Sequence, residues 1–262
     1  MSASLMTHLY YGDPSEDFSA KLAETLVAGG ADMLEIGIPY SDPVCDGEVF
    51  QRACMRAISA GMTPHQVLEG VRKLRDKGIN NPVYVTCYFG PVYTMGVENF
   101  VRSVKEVGAQ GIIIPDILLE EQHELLKVAN SVGISVTQFA TQYSTGKRLE
   151  QIISVAKDFI YCVAVPGVTG AREKVEKQTI ELIATVKRTV TKSKKNIRVF
   201  VGFGISQPDH VRRMISAGAN GVIVGSAIGK LYESNFNDPN CSLRNIGKFI
   251  KTLKAGTIEE DL

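Results

Sequence analysis

The stretch "LEIGIPYSDPVCDGEVFQ", Leu34 to Gln51, contains one complete connection from a strand to a helix. Its first residues are apolar except for Glu35, which is typical of the end of a strand buried on both faces. A long polar connection follows, and helical spacing resumes near Gln51. The stretch predicts a βα unit whose loop exceeds the roughly two to six residues usual for such connections, which marks the loop as a functional candidate.

The same alternation repeats along the whole chain. Short β-branched and aromatic runs alternate with longer segments of helical period. The eight predicted strands cover residues 6–11, 32–37, 83–88, 111–115, 134–139, 159–164, 198–203 and 221–226. Eight such units in about 250 residues are typical of a TIM (β/α)8 barrel. We therefore predict one barrel domain over residues 1–262; a doubly wound α/β sheet is the alternative, since spacing alone does not prove closure.

Composition and charge exclude several classes of protein. The 262 residues are 44% hydrophobic and 22% charged, and 29 basic against 28 acidic residues give a formal charge of +1. Such a balance provides no global attraction to nucleic acid or to a membrane surface. The longest apolar run, "GIIIP", is far shorter than the roughly 20 residues of a membrane span, and no signal-peptide pattern begins the chain. We expect a cytoplasmic protein.

Cysteine and histidine spacing indicates no metal site and no redox motif. The five cysteines are scattered and never form C-x-x-C, so free, mostly buried thiols are expected. The four histidines lie on separate segments, without a second ligand at a recognised metal spacing. Only His8, in the first strand, is expected to point into a core.

Charged residues are nearly absent from the predicted strands, and Glu35 is the main exception. Asp116 follows the end of the fourth strand, and no lysine or arginine lies at the far end of a strand to pair with Glu35. Active sites of barrels lie at these strand ends. Desolvation favours a protonated carboxyl group, so we predict that Glu35 is an acid/base residue. A hydrogen-bonded carboxylate without a chemical role is the alternative.

The long loop after Glu35 carries further acidic residues. Asp42 lies in "SDP", which is typical of an Asx turn and gives that residue a structural role. Asp46 precedes Gly47, so the residue pattern fits a turn former and a site residue equally well.

Glycines after the seventh and eighth strands predict an anion site. Gly204 and Gly225 allow close backbone approach, and a helix begins around Ser226. In TIM barrels these two loops are the usual place for a phosphate group. Tight turns without a ligand are the alternative. The segment 165–174 after the sixth strand is predicted to be a closing lid, with an ordinary exposed loop as the alternative.

Some reactive groups are missing from the predicted strand ends. The predicted strand ends offer no lysine for a Schiff base and no cluster of metal ligands. A substrate cleaved here would have to supply its own electron sink.

Four separated motifs carry a family resemblance. In order, "LEIGIPYSDPVCDG", "GVTGA", "VGFGIS" and "GANGVIVGSAI" closely resemble the α subunit of tryptophan synthase across nearly the whole chain. The resemblance implies a TIM barrel that cleaves indole-3-glycerol phosphate to indole and glyceraldehyde 3-phosphate. Such an enzyme needs no cofactor of its own, because protonation of the indole ring at C3 creates the electron sink.

The resemblance also implies roles for individual residues. Glu35 matches the glutamate that moves protons to the indole carbon and from the glycerol hydroxyl. Asp46 matches the aspartate that accepts the indole N–H, and Tyr88 and Tyr161 match tyrosines that line the site. The residues that match the phosphate-binding set are Gly170, Phe203, Gly204, Gly225 and Ser226.

Other matches and departures concern a partner. Thr169 matches a lid threonine that contacts the aspartate, and Asp116 matches an aspartate that signals to the β subunit. The implied partner is that pyridoxal-phosphate-containing β subunit, in an α2β2 assembly.

The departures from the family pattern are Val165 for a lid arginine, Gly90 for an asparagine, Glu48 and Leu118 for prolines, and a missing or much shortened helix before strand one. These departures leave two alternatives to a lyase that works together with the β subunit. One is a weak α-like subunit that mainly activates the β subunit, and the other is a stand-alone lyase that releases indole.

Overall fold

A computed structural model describes residues 3–163, 172–202 and 204–258, without the side chains of 172–176. All eight predicted strands are present, and the fifth is divided at Thr137 into two short strands. The strands are β1 (Ser4–Tyr10), β2 (Met33–Gly37), β3 (Val83–Thr86), β4 (Gly111–Ile113), β5 (Ser135–Val136), β6 (Gln138–Ala140), β7 (Phe159–Val163), β8 (Arg198–Gly202) and β9 (Gly221–Val224).

Helices alternate with these strands, as the sequence predicts. They are α1 (Glu16–Ala28), α2 (Glu48–Ser59), α3 (Pro64–Asp76), α4 (Phe89–Met95), α5 (Val97–Glu106), α6 (His123–Val132), α7 (Gly146–Val155), α8 (Arg172–Ser193), α9 (Pro208–Ser216), α10 (Ser226–Glu233) and α11 (Pro239–Ala255), with a 3-10 turn at Leu119–Glu121. None of the helices in the described part of the chain is both long and apolar enough to cross a bilayer.

Capping residues set several helix starts. The Ser15 side chain accepts a hydrogen bond from the Phe18 N–H at the start of α1. Thr63 and Gln66 form a reciprocal capping box at the start of α3. The prediction that helical structure resumes near Gln51 is wrong by three residues, because α2 already begins at Glu48. The first turn of a helix often contains polar residues, and in a sequence these are easily mistaken for residues of the preceding loop.

The chain groups into two compact units. The Glu35 unit comprises Thr7–Val136 and Gly225–Lys251, and the Tyr161 unit comprises Met1–Met6, Thr137–Val224 and Thr252–Leu262. The single domain over residues 1–262 stays a prediction.

In the Glu35 unit the strand order is β5-β4-β3-β2-β1. Strands β2 and β3 are parallel, with Glu35 opposite Tyr84 and Gly37 opposite Thr86, and β3 is parallel to β4. Every residue of β2 and β3 is buried. Because parallel strands end at the same edge, the loops after β2, β3 and β4 lie side by side.

In the Tyr161 unit the strand order is β9-β8-β7-β6, and each neighbouring pair is parallel. Tyr161 on β7 pairs with Phe200 on β8, and its ring lies over Gly202, two residues further along β8. A Cβ atom added to Gly202 would lie 2.3 Å from the Tyr161 hydroxyl oxygen. This glycine is therefore required by the tyrosine ring that packs against it.

Candidate active site

Glu35 lies in the middle of β2 and is only 2% exposed. The Thr86 hydroxyl group, on β3, donates a hydrogen bond of 2.6 Å to Glu35 Oε1. The Nδ1 atom of His8 lies 3.4 Å from the same oxygen. The other oxygen, Oε2, is buried and has no hydrogen-bond partner among the described residues. Thr86 thus holds one carboxyl oxygen, with His8 nearby, and the other oxygen has no such contact in this part of the chain.

Burial controls the protonation of this pair. It raises the pKa of Glu35 to about 8, with the nearby charge of Asp46 acting in the same direction and the Thr86 hydrogen bond opposing it. Burial also lowers the pKa of His8 to about 4, although the Asp46 charge acts against this. At neutral pH, Glu35 is therefore a neutral acid beside a neutral imidazole.

Asp46 lies in the loop between β2 and α2, and two tyrosines hold its side chain. The hydroxyl groups of Tyr10 and Tyr88 donate to the same oxygen, Oδ2, over 2.6 and 2.7 Å. Tyr88 also accepts the Cys45 N–H at 3.1 Å. Burial and the Asp46 charge raise the pKa of both tyrosines, so both phenols remain hydrogen-bond donors. The loop turns through the Asp46 backbone N–H, which donates to the Pro43 carbonyl, and this leaves the carboxylate available.

Aromatic rings pack around the two carboxyl groups. His8 lies 5.1 Å from Tyr10 and 4.6 Å from Phe50 between ring centroids. Tyr40 stacks on Tyr88 at 5.5 Å. The departure at Gly90 has a local reason, since a Cβ atom there would lie 2.7 Å from the Tyr40 hydroxyl oxygen.

Asp116 links the loops after β3 and β4. Its Oδ1 atom accepts the Phe89 N–H, at the start of α4, over 2.8 Å. Next to it, the Pro115 carbonyl lies 3.8 Å from the Cys45 sulfur on the loop that carries Asp46. The predicted signalling residue therefore lies where three loops of the Glu35 unit contact one another.

The predicted phosphate-binding residues are partly described. Gly225 caps the N-terminus of α10, and Ser226 is its exposed first residue. A Cβ atom on Gly225 would lie 2.6 Å from the Phe50 ring, so packing against α2 already requires this glycine. Gly204, in the Tyr161 unit, has a φ of +44°, a left-handed conformation that favours glycine. Phe203, Thr169, Gly170 and Val165 lie outside the described residues.

Tyr161, the second predicted site tyrosine, is half-buried on β7. Its ring centroid lies 5.2 Å from that of Phe139, on β6. Both residues belong to the Tyr161 unit, whereas Glu35, Asp46, Tyr88 and Asp116 belong to the other unit.

Sequence reasoning missed three residues that contact the candidate carboxyl groups. These are Thr86 and His8, beside Glu35, and Tyr10, beside Asp46. A signal was present in "MTHLYY": His8 and Tyr10 are two positions apart on a strand, so they share one face. The register that brings Thr86 toward Glu35 has no such local signal.

The described side chains contain no group of three or more His, Cys, Asp or Glu residues that could hold a metal ion.

Comparisons with known proteins agree on one family. The family model described as "Tryptophan synthase alpha chain" matches residues 1–258. The tryptophan synthase alpha chain of Rippkaea orientalis is 39% identical over 98% of this chain and 93% of its own length. That of Methanothermobacter thermautotrophicus is 40% identical over 93% of this chain and 88% of its own length. A solved tryptophan synthase complex from Pyrococcus furiosus has a chain that is 28% identical, with a TM-score of 0.85, over 97% of this chain and 98% of that one. These matches confirm the predicted (β/α)8-barrel fold.

Proposed function

This chain belongs to the tryptophan synthase alpha chain family, and we propose that it cleaves indole-3-glycerol phosphate to indole and glyceraldehyde 3-phosphate. Family membership carries a lyase role in tryptophan biosynthesis. One observation carries the specific reaction: Glu35 is buried without a guanidinium or ammonium partner among the described residues, and its Oε2 atom has no hydrogen-bond partner there. Such a group is a neutral acid at neutral pH.

Glu35 supplies the proton that starts the cleavage. Thr86 occupies Oε1 as a donor, so the exchangeable proton of the carboxyl group resides on Oε2. Transfer of this proton to C3 of the indole ring makes the ring a cationic electron sink. The resulting Glu35 carboxylate then takes the proton of the hydroxyl group on the adjacent side-chain carbon. A carbonyl group forms there, the carbon–carbon bond breaks, and its electron pair returns to the ring.

Asp46 stabilises the cationic ring by accepting the indole N–H. Tyr10 and Tyr88 both bond to Oδ2, which leaves Oδ1 for the substrate. A carboxylate that is already oriented by two donors needs little reorganisation when the positive charge develops. Tyr88 thereby lines the indole side of the site, and Tyr161 is proposed to line it as well.

The phosphate group is proposed to bind at Gly170, Phe203, Gly204, Gly225 and Ser226. Support comes from the free N–H groups at the start of α10, where Ser226 is exposed. Thr169 is proposed to contact Asp46 when the loop that carries it closes.

We further propose that the chain assembles with a β subunit that carries pyridoxal phosphate, in an α2β2 complex. The solved structure from Pyrococcus furiosus is described as a tryptophan synthase complex. On this chain, Val44, Tyr93 and Leu118 are 69%, 75% and 62% exposed, and they lie after β2, β3 and β4 respectively. Large exposed apolar residues on neighbouring loops are typical of a protein-binding surface. Asp116, which joins these loops, is the proposed signalling residue.

The decisive experiment measures indole release from indole-3-glycerol phosphate by the purified chain, with and without a β subunit. Indole in both conditions, accelerated by the β subunit, is the expected result. Equal rates would indicate a stand-alone lyase. No indole in either condition would refute the proposed cleavage and leave only a partner-activating role.

Asp46→Asn gives a specific prediction within the same assay. The amide is a weaker acceptor for the indole N–H and does not stabilise the cation, so kcat should fall on the order of 100-fold. Asp42→Asn is the matched control, because Asp42 is exposed on the same loop, and it should leave kcat unchanged. A near-normal rate for Asp46→Asn would return Asp46 to the role of a turn former.

A further inference from the structure

His8 is a buried titratable group that the proposed mechanism does not yet use. It is buried on β1, and its ring packs against those of Tyr10 and Phe50. Packing alone would be served as well by phenylalanine, which has a ring of similar size. The two ring nitrogens, however, lie in different surroundings, and these surroundings indicate a further role.

The Nδ1 atom of His8 faces Glu35. It lies 3.4 Å from Oε1, the oxygen that also accepts the Thr86 hydroxyl group. A neutral imidazole carries one N–H, and the nitrogen beside an acceptor oxygen is the one that holds it. His8 therefore donates from Nδ1 toward Oε1, and its Nε2 atom carries a lone pair.

The Nε2 atom of His8 is buried and has no hydrogen-bond partner among the described residues, which is also true of Oε2 of Glu35. A Cβ atom on Gly37 would lie 3.0 Å from Nε2, so the missing side chain at Gly37 leaves this nitrogen room. Gly37 is two residues after Glu35 on β2, so the nitrogen lies on the same face of the strand as Glu35 and toward its carboxyl end. A buried polar atom without a partner is unfavourable, and a ligand that forms a hydrogen bond with it reverses that loss.

We propose that His8 acts in the cleavage through both nitrogens. Its Nδ1–H fixes Oε1 of Glu35 and keeps the transferable proton on Oε2, and its Nε2 accepts a hydrogen bond from a hydroxyl group of the substrate's glycerol side chain. This inference rests on the proposed function, since it names the substrate group that His8 binds. It makes His8 a positioning residue for Glu35 and a substrate-binding residue for the side chain that Glu35 deprotonates.

Three variants separate the proposed role of Nδ1 from that of Nε2. His8→Phe keeps the ring and removes both nitrogens, so kcat should fall about tenfold and KM should rise about fivefold, the range of one lost hydrogen bond each. His8→Asn places an amide N–H near the position of Nδ1, so it should recover most of kcat but not KM. His8→Gln places an amide oxygen near Nε2, so it should recover KM but not kcat.

A control and a binding measurement make the result specific. Tyr11→Phe changes a buried tyrosine that packs against Gly70 on α3, and it should alter neither constant. Calorimetric binding of sn-glycerol 3-phosphate should weaken about fivefold in His8→Phe, whereas binding of propyl phosphate, which lacks the hydroxyl groups, should not change.

Two results would overturn the inference. One is a His8→Phe variant with unchanged kcat, KM and glycerol phosphate affinity, which would reduce His8 to a packing residue. The other is an equal loss in all three His8 variants, accompanied by a lower Tm. Because the binding measurement needs no turnover, it also distinguishes this failure from a failure of the proposed cleavage, which would appear as an inactive wild-type chain.

Discussion

The Glu35 unit contains two buried carboxyl groups whose surroundings are opposite. Asp13, in the loop after β1, is 0% exposed, and Glu35 is 2% exposed. The Arg56 guanidinium group binds both oxygens of Asp13, over 2.6 and 2.9 Å, and the Tyr232 hydroxyl group donates to Oδ2 over 2.5 Å. Glu35 has a threonine and a neutral histidine beside one oxygen, and the described part of the chain offers its other oxygen no hydrogen-bond partner. Nearly equal burial therefore accompanies an ion pair in one place and a neutral acid in the other.

The ion pair of Asp13 extends across the unit. Arg56, on α2, also donates to Glu233 on α10 over 2.8 Å, and Arg52 donates to both oxygens of Glu233. These hydrogen bonds with Arg52 and Arg56 lower the pKa of Glu233 to about 2, so it stays charged. This cluster joins helix α2, which begins two residues after Asp46, to helix α10, which begins at Ser226. The cluster thus links two helices that begin next to the candidate site.

Glu35→Gln should have the largest effect. The amide keeps the shape of the side chain but carries no transferable proton, so kcat for indole release should fall at least on the order of 1,000-fold. Binding of glycerol phosphate should be retained. Glu48→Gln, an exposed change at the start of α2, is the control and should be near normal. Substantial turnover by Glu35→Gln would place the acid elsewhere.

Asp13→Asn should instead affect stability. Among the described residues, the change leaves the partly buried Arg56 with Glu233 as its only anionic partner, so the free energy of unfolding should fall by about 3 kcal/mol in urea titrations. The exposed Asp17, paired with Lys21 over 2.7 Å, provides the control Asp17→Asn, with a loss below about 1 kcal/mol. If the folded Asp13→Asn protein showed the kinetic defect of Glu35→Gln, the division between the two carboxyl groups would be wrong.

Much of this arrangement was predictable, and the reason is periodicity. Each strand has a short apolar or β-branched run, and the starts of α1 and α3 have Ser15 and Thr63 as caps. The burial of a carboxyl group at Glu35 was predictable, because a charged residue inside an apolar run is rare and stands out in the sequence. The division of the fifth strand at Thr137 was not predictable, since nothing in "ISVTQF" breaks the pattern.

The features that local patterns do not predict depend on contacts between segments that are distant in the sequence. Tyr10 meets Asp46 across 36 residues, and Arg56 meets Glu233 across 177. No local pattern encodes such separations, so the residue pattern alone left Asp46 between two roles, which the family resemblance decided in favour of a site residue. Neither the pattern nor the resemblance indicated the Asp13 cluster. The geometry of the two phenols now favours a site residue, and Asp46→Asn is the test of that role.

The pH dependence of stability distinguishes the two carboxyl groups further. The pKa of Glu35 rises from 4.5 to about 8 on folding. A raised folded-state pKa gives stability that is complete below the unfolded value and is lost as pH rises through the folded value. Relative to Glu35→Gln, the wild-type protein should therefore lose about 2.5 kcal/mol of unfolding free energy between pH 5 and pH 7. Urea titrations of both proteins at the two pH values measure this difference, and a constant difference would show that Glu35 is ionised at neutral pH.

The smallest predicted effect isolates a single hydroxyl group beside Glu35. Thr86→Val keeps the shape of the side chain and removes the donor to Oε1, so unfolding free energy should fall by about 1 kcal/mol. Thr7→Val is the matched control, because the Thr7 hydroxyl group is also buried but has no partner in the described part of the chain. Its removal should be neutral or slightly stabilising, since an unpaired buried hydroxyl is itself unfavourable. Equal losses in the two valine variants would mean that the hydroxyl group contributes through packing, and Glu35 would then owe its orientation to His8 alone.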